Sequence, residues 1–402
     1  MLRWRPGSRL QAAKGQLMAE EKVAQLQQQS RRLTLICSLT LLFGALLLRF
    51  GALNPDFSAR RWLMLSALTV AALFWFLRRV LHQNHPPGEQ ELYADLGPAN
   101  RLTIYRGLAY AWMTGFLLLP RPGGLIDWLP ALLYIGASIA DVFDGYLARK
   151  SGRVTRLGET LDMEFDGFGV LVGCALAVQY EQLPLVFLLV AFARPLFVWG
   201  MLWRTRMGLP NHPMTDSDQR RIMAGLLMIF LSTVLWPIFE PPVTYAVGAV
   251  FGGAVALSFV RDWLVTIGWL RPDQPAYIFW RARLKLIAFA WTPVVLRIAV
   301  ALLVSLLVSS LFASGTALPA SLNWPVAAVA AAAGLTALFG IGARTSAGFI
   351  NAAGYLYFIS GGQSWLGLTL LVLSSLLLIL GSGYYTLWVP EERWLRVGAA
   401  GS

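Results

Sequence analysis

Acid is scarce in this chain. Of 402 residues only 21 are Asp or Glu, against 33 Lys and Arg, and charged residues together make up 13%. A soluble globular domain carries about twice that charged fraction, so the composition excludes an ordinary soluble protein. Cysteine is nearly absent: Cys37 and Cys174 both stand inside apolar runs, which excludes a disulfide framework or a thiolate metal site. The three histidines, His82, His85 and His212, form no HExxH or related spacing, so a histidine-based metal centre is excluded as well.

What is abundant is hydrophobic sequence, at 57% of residues. Apolar runs of about 18 or more residues recur along the whole chain, the signature of transmembrane helices. The net charge of +12 sits in short loops and near the N-terminus. Basic loops between apolar spans follow the positive-inside rule and argue against nucleic acid as a partner.

The expected fold class is therefore all-α, a polytopic integral membrane protein. Residues 1–32 read as an amphipathic cytoplasmic lead, with Leu10, Leu17, Val23 and Leu26 at near-helical spacing among polar residues. Spans are expected near 33–50 and 62–78, completing a two-span extension over 33–94. The first apolar run begins near Leu33, too late and too long for a cleavable signal peptide. A six-span core over 95–270 follows, with spans near 101–119, 125–147, 160–179, 185–203, 221–238 and 243–268. Four further spans, near 286–312, 323–342, 346–361 and 364–388, form a C-terminal module over 276–402.

Charge sets the orientation. Arg78 and Arg79; Arg149, Lys150, Arg153 and Arg156; Arg204, Arg206, Arg220 and Arg221; Arg281, Arg283 and Lys285; and Arg344 fall on one side of this arrangement. Arg60, Arg61 and Arg121 fall on the other. Both termini are thus expected in the cytoplasm of a cell-membrane protein.

Against this acid-poor background, Asp141, Asp144, Asp162 and Asp166 stand out, because they lie at the ends of apolar runs. A carboxylate at mid-bilayer costs about 2.5–3.5 kcal/mol, so four left unpaired would cost roughly 10–14 kcal/mol. Spacings of three and four place each pair on one helix face. Two antiparallel helices joined by a short loop bring the pairs together into an all-oxygen pocket suited to Mg²⁺ or Mn²⁺. Glu164 lies about 200° around the helix from Asp162 and is left out of the site. Gly145 and Ala148 allow a bulky ligand close to the backbone. Arg149, one turn from Gly145, is placed to pair with a diphosphate. Thr155 and Gly158 line the connecting loop, where a hydroxyl and bare backbone can meet a ribose or base. Two carboxylate-held metals beside an arginine describe phosphoryl transfer.

The pattern Asp141-x2-Asp144-Gly145-x2-Ala148-Arg149-x8-Gly158-x3-Asp162-x3-Asp166 resembles the complete signature of the CDP-alcohol phosphotransferase family. Asn100-Arg101-Leu102-Thr103-Ile104-Tyr105-Arg106 resembles the family's entry to its first core helix. The resemblance implies that Asp141, Asp144 and Asp162 bind metal, and that Asp166 binds metal and acts as base toward the acceptor hydroxyl. It implies that Gly145, Ala148, Arg149, Thr155 and Gly158 hold the CDP moiety, with Asn100 and Thr103 near the nucleotide. The implied reaction joins an alcohol to the phosphatidyl group of CDP-diacylglycerol or a similar CDP-lipid, releasing CMP, in a homodimer. A soluble CDP-alcohol donor with a lipid acceptor, and a transporter or scaffold keeping a transferase-like core, are the alternatives.

One position departs from the family. Gly167 follows the fourth Asp where members with phosphorylated acceptors often carry Lys or Arg; Arg194, Arg220 and Arg221 are the substitutes the sequence offers. Arg297 lies inside an apolar run with no evident partner, and Arg261-Asp262 suggests an internal ion pair. The C-terminal four spans resemble DoxX-like four-helix membrane modules, a likeness that implies no chemistry.

Overall fold

The structure is a computed structural model, and residues 7–89, 91–212, 218–313 and 319–389 are described. Those residues form α-helices joined by short loops and single 3₁₀ or π turns, with no β-strand among them; one isolated parallel bridge joins Ile341 and Trp388. Among the described residues, seven helical segments are long and apolar enough to cross a membrane: Glu20–Gly51, Ala59–Gln83, Gly124–Lys150, Leu185–Arg206, Val243–Thr266, Pro275–Phe312 and Ser321–Leu338. Their outer faces carry large apolar side chains such as Leu39, Phe43, Leu68, Leu189 and Leu302, all exposed. That is the surface a bilayer covers.

Contacts group the chain into two compact units, residues 1–182 with 231–238, and residues 183–230 with 239–402. Residues 95–270, read as one core from the sequence, are shared between both units. Only tertiary packing decides which helices associate, and the hydropathy of each span carries no record of its neighbour.

In the first unit, α1 (Gly7–Gly51) and α2 (Ala59–Val80) pair with each other, and α2 packs on α3 (Gly97–Thr114). α3 in turn pairs with α4 (Leu129–Lys150) and α5 (Arg156–Gln179). α1 passes through residue 32 without a break. It runs unbroken for 45 residues, about 68 Å at 1.5 Å per residue, against roughly 30 Å of hydrocarbon. The physical reason is local: residues 16–43 contain neither Gly nor Pro, so nothing interrupts propagation from the polar lead into the span. The side chains of Leu10 and Leu17 lie outside the described residues.

Small residues let these helices approach closely. A Cβ on Gly169 would sit 2.4 Å from the Tyr110 ring, and one on Gly173 would sit 2.7 Å from the Tyr134 ring. Gly107 likewise leaves room for Phe165 and Leu73. These contacts fix the spacing and rotation of α3 and α5, and therefore the side chains at their ends.

The second unit holds α6 (Leu188–Arg206), most of α7 (Asp218–Val234), α8 (Val243–Thr266), α9 (Pro275–Leu286), α10 (Thr292–Phe312), α11 (Ala320–Leu338), α12 (Ala343–Ile359) and α13 (Ser364–Leu380). Helices α10 to α13 enclose a core built from Val300, Val304, Leu307, Ala330, Ile350 and Leu370. α9 continues through a π turn at Ile287–Trp291 into α10 and buries none of its residues. The expected spans at α3 and α5 fall outside the long apolar class because polar residues interrupt them. α12 and α13 fall outside it at 17 residues each.

Arg297, without a visible partner in the sequence, is buried in α10. Its Nη1 donates to the Tyr385 carbonyl at 3.2 Å and its Nη2 to the Tyr384 carbonyl. The segment after α13 is held further where Tyr384 N–H donates to the Ala290 carbonyl at 3.0 Å. Arg261 and Asp262 do pair, at 3.3 Å.

Candidate active site

α3 begins with Gly97 and Pro98, a helix start for which proline is suited because its missing N–H has no partner there anyway. From it, Asn100, Thr103, Arg106 and Tyr110 recur at intervals of three and four, and all four are buried. This polar stripe faces the motif-bearing ends of α4 and α5.

α4 carries Asp141, Asp144, Gly145, Ala148 and Arg149 in its last turns and ends at Lys150. The loop returns through Gly152, whose φ of +63° is the left-handed region open to glycine. α5 then starts with Thr155 as N-cap, its Oγ1 accepting from Gly158 N–H at 3.0 Å. α5 presents Asp162 and Asp166 one turn apart.

The four Asp side chains meet around one cation. Arg106 has no exposed side-chain surface. Its Nη1 hydrogen-bonds Asp141 and lies 3.6 Å from Asp144 Oδ2. Its Nη2 lies 2.7 Å from Asp162 Oδ1 and 3.2 Å from Asp166 Oδ1. Thr103 Oγ1 donates to Asp144 Oδ2 at 2.8 Å. Asp144 is 8% exposed at its side chain, whereas Asp141, Asp162 and Asp166 keep 31%, 48% and 35%. The cluster is thus closed at Asp144 and open at the other three.

One guanidinium cannot neutralise four carboxylates, so the cluster keeps a formal charge of about −3 when all are ionised. Oxygens of Asp141, Asp144 and Asp162 lie within 4.8 Å of one another. Convergent carboxylate oxygens of this kind suit a hard divalent cation. Asp166 stands next to that triplet through their shared Arg106.

Gly145 and Ala148 flank the cluster on α4, both half-buried. Arg149 is exposed and folds back, its Nη1 3.3 Å from where a Cβ on Gly145 would stand. Asn100 and Thr155, both buried, and the half-buried Gly158 form a second group. Asn100 Nδ2 donates to Thr155 Oγ1 at 3.1 Å and to Asn84 Oδ1 at 3.2 Å. A Cβ on Gly158 would approach Asn100 Oδ1 to 2.7 Å. Thr155 and Asn100 therefore lock the α4–α5 loop to the start of α3.

Beside that group, Arg153 pairs with Asp95 at 2.6 Å and lies over the Tyr93 ring at 4.5 Å. The hydrogen bond from Arg153 holds the Asp95 carboxyl below its usual range. A cavity of about 440 Å³ lies between Asp95, Gly97, Arg101, Tyr105 and Leu147.

The structure thus brings together all four Asp, Thr103, Gly145 and Arg149, and places Asn100, Thr155 and Gly158 in an adjoining anchor. Glu164 is exposed. Arg194 is half-buried on α6 in the second unit, and the side chains of Arg220 and Arg221 lie outside the described residues. Sequence reasoning missed Arg106 as part of the site. The one hint was its place on the same polar stripe as Asn100 and Thr103.

A family model for CDP-alcohol phosphatidyltransferase matches residues 97–269. A CDP-diacylglycerol–glycerol-3-phosphate 3-phosphatidyltransferase of Rickettsia prowazekii is 39% identical over 143 residues, 35% of this chain and 76% of the relative. The protein of the same name from Rickettsia typhi is 39% identical over 138 residues, 34% of this chain and 74% of its own. That from Rickettsia bellii is 40% identical over 107 residues, 25% of this chain. The chain spans 55% of the Rickettsia bellii protein's length. No solved structure matches the chain. Residues 97–269 contain α3, α4 and α5 with the whole carboxylate cluster, and on these similarities the chain belongs to the CDP-alcohol phosphatidyltransferase family.

Proposed function

We propose that this chain joins an alcohol acceptor to the phosphatidyl group of a CDP-linked lipid and releases CMP, as a multi-pass enzyme of phospholipid biosynthesis. The observation that carries the reading is the convergence of Asp141, Asp144, Asp162 and Asp166, from two helices, on one net-negative cluster.

A divalent cation, Mg²⁺ or Mn²⁺, held by these carboxylates would neutralise diphosphate charge and stabilise the departing CMP. The chain's own groups supply the rest. Arg149, whose guanidinium stands over Gly145, offers it to the diphosphate oxygens. Asp166 takes the proton of the acceptor hydroxyl as its oxygen bonds to the lipid-side phosphorus. The bond from that phosphorus to the CMP oxygen breaks. Asn100 and Thr155 hold the loop that shapes the nucleotide side.

CDP-diacylglycerol and glycerol 3-phosphate are the first donor and acceptor to test, since the relatives are named for that pair. Gly167 offers no cation to an acceptor phosphate, so glycerol 3-phosphate must find one elsewhere. The basic loops support a cytoplasmic site, with both termini on that side.

Purified protein in lipid nanodiscs, given CDP-diacylglycerol and radiolabelled glycerol 3-phosphate, should release CMP and label the lipid fraction. Both products should require Mg²⁺ or Mn²⁺ and vanish with chelator. CMP release indifferent to chelator, or none with any alcohol offered, would sink the proposal.

A further inference from the structure

Arg106 takes oxygens that a cation at this site would also use. Its fork reaches Asp141 and Asp144 with one nitrogen and Asp162 and Asp166 with the other. Asp141, Asp144 and Asp162 are also the triplet whose oxygens converge closely enough for a metal ion. Arg106 is fixed where it stands: its side chain is fully buried, on a helix whose position is set by Gly107 against Phe165 and Gly169 against Tyr110. A planar guanidinium bridges carboxylates on two helices through two separate nitrogens held in a fixed fork.

Two consequences follow from Coulomb's law. With Arg106 in place, the carboxylates of α4 and α5 are drawn together rather than pushed apart. The same positive charge, a few ångströms from any metal bound to those oxygens, opposes the metal. We propose that Arg106 is a built-in counter-ion: it shares the metal's carboxylates, holds the four together when no cation is bound, and weakens the site's intrinsic affinity for divalent cations. It is a positioning residue, acting through the carboxylates. The inference rests on the metal-dependent reading above.

The test uses full-length protein, wild type, Arg106→Lys and Arg106→Gln, stripped with chelator and given Mn²⁺ without any CDP-linked donor. Mn²⁺ binding is read by electron paramagnetic resonance and stability by thermal melting. Arg106→Gln should bind Mn²⁺ about tenfold or more tightly than wild type, with Arg106→Lys between them. In chelator Arg106→Gln should melt several degrees lower than wild type, and saturating Mn²⁺ should close most of that gap. Unchanged or weaker Mn²⁺ binding by Arg106→Gln, or an equal loss of melting temperature with and without Mn²⁺, overturns the proposal. If Arg106→Gln does not fold in either condition, Arg106→Lys decides, and binding no tighter than wild type overturns it. Mn²⁺-dependent CMP release by wild type alongside that result would overturn this inference alone. Absence of Mn²⁺ binding in all three proteins would overturn it together with the metal reading.

Discussion

The Nη2 of Arg106 on α3 lies 2.7 Å from Oδ1 of Asp162 on α5, while Nη1 of the same guanidinium bonds Asp141 on α4. One side chain therefore ties both halves of the carboxylate motif to a third helix. Burying a charge is tolerated when it is paired and hydrogen-bonded, and Arg106 meets that condition with four acids around it. The same arrangement leaves excess negative charge at an open rim formed by Asp141, Asp162 and Asp166. A cluster assembled for stability alone would balance its charges; this one does not.

Asp166 should separate chemistry from binding. Replacing it with Asn removes the proton acceptor but keeps shape and hydrogen-bonding capacity. Turnover should fall by about 10²- to 10⁴-fold, the usual worth of general base catalysis. Binding of CDP-diacylglycerol, measured by competition with a labelled donor, should change far less. Near-normal turnover in Asp166→Asn would remove the residue from its role.

The anchor at Thr155, Gly158 and Asn100 predicts two different kinds of loss. Thr155→Ala deletes the N-cap of α5 and should cost about 0.5–2 kcal/mol of stability. Gly158→Ala drives a methyl to 2.7 Å from Asn100 Oδ1 and should cost about 1–3 kcal/mol through overpacking. In a double variant with Asn100→Ala the second loss should shrink, because the clash is gone. Equal losses for Gly158→Ala with and without Asn100 would contradict the contact.

Acid should loosen the loop before α3. The Asp95 carboxyl is held below its usual range, chiefly by the hydrogen bond from Arg153. A depressed folded-state value means the pair contributes stability above the unfolded value, about 3.9, and loses it as pH falls through the lower folded value. Both side chains are partly exposed, at 43% and 32%, so the contribution should be about 0.2–1 kcal/mol. Hydrogen exchange of residues 93–97 should quicken as pH drops below about 4, after correction for intrinsic rates. Asp95→Asn should show that faster exchange already at neutral pH; identical exchange in variant and wild type would refute the linkage.

Arg297 should hold the segment that follows α13. Its two nitrogens donate to the carbonyls of Tyr384 and Tyr385, and charge-assisted bonds of this type contribute about 1.5–3 kcal/mol each. Arg297→Met should fill the same space without donors, lower the melting temperature, and open residues 381–388 to protease. Protection at that segment equal to wild type would show that the carbonyls do not depend on the arginine.

Much of the site was legible in the sequence because helix geometry is local. Residues three and four apart share a face whatever surrounds them, so Asp141 with Asp144 and Asp162 with Asp166 paired on paper as they do in space. The N-cap of Thr155 is local, three residues from Gly158, but the need for Gly158 was less plain, since it depends on Asn100, far back in the chain. The stripe Arg106 shares with Asn100 and Thr103 did not reveal its partners, because it stands 35 residues before Asp141. A basic residue near the end of an apolar run is equally consistent with a headgroup contact. Likewise the boundary placed at residue 32 rests on a change in composition, whereas helix propagation through it depends on the absence of a breaker.

By itself the sequence determined an all-helical membrane chain and an acidic motif in two turns of two successive helices, since hydropathy and the 3.6-residue period act over short separations. Tertiary structure alone decided that α3 carries the cation into that motif, that α6 and α8 group with the C-terminal helices, and that Arg297 meets the carbonyls of Tyr384 and Tyr385. Those outcomes depend on which helix faces fit together, and complementarity between surfaces far apart in the chain is not written in either surface alone.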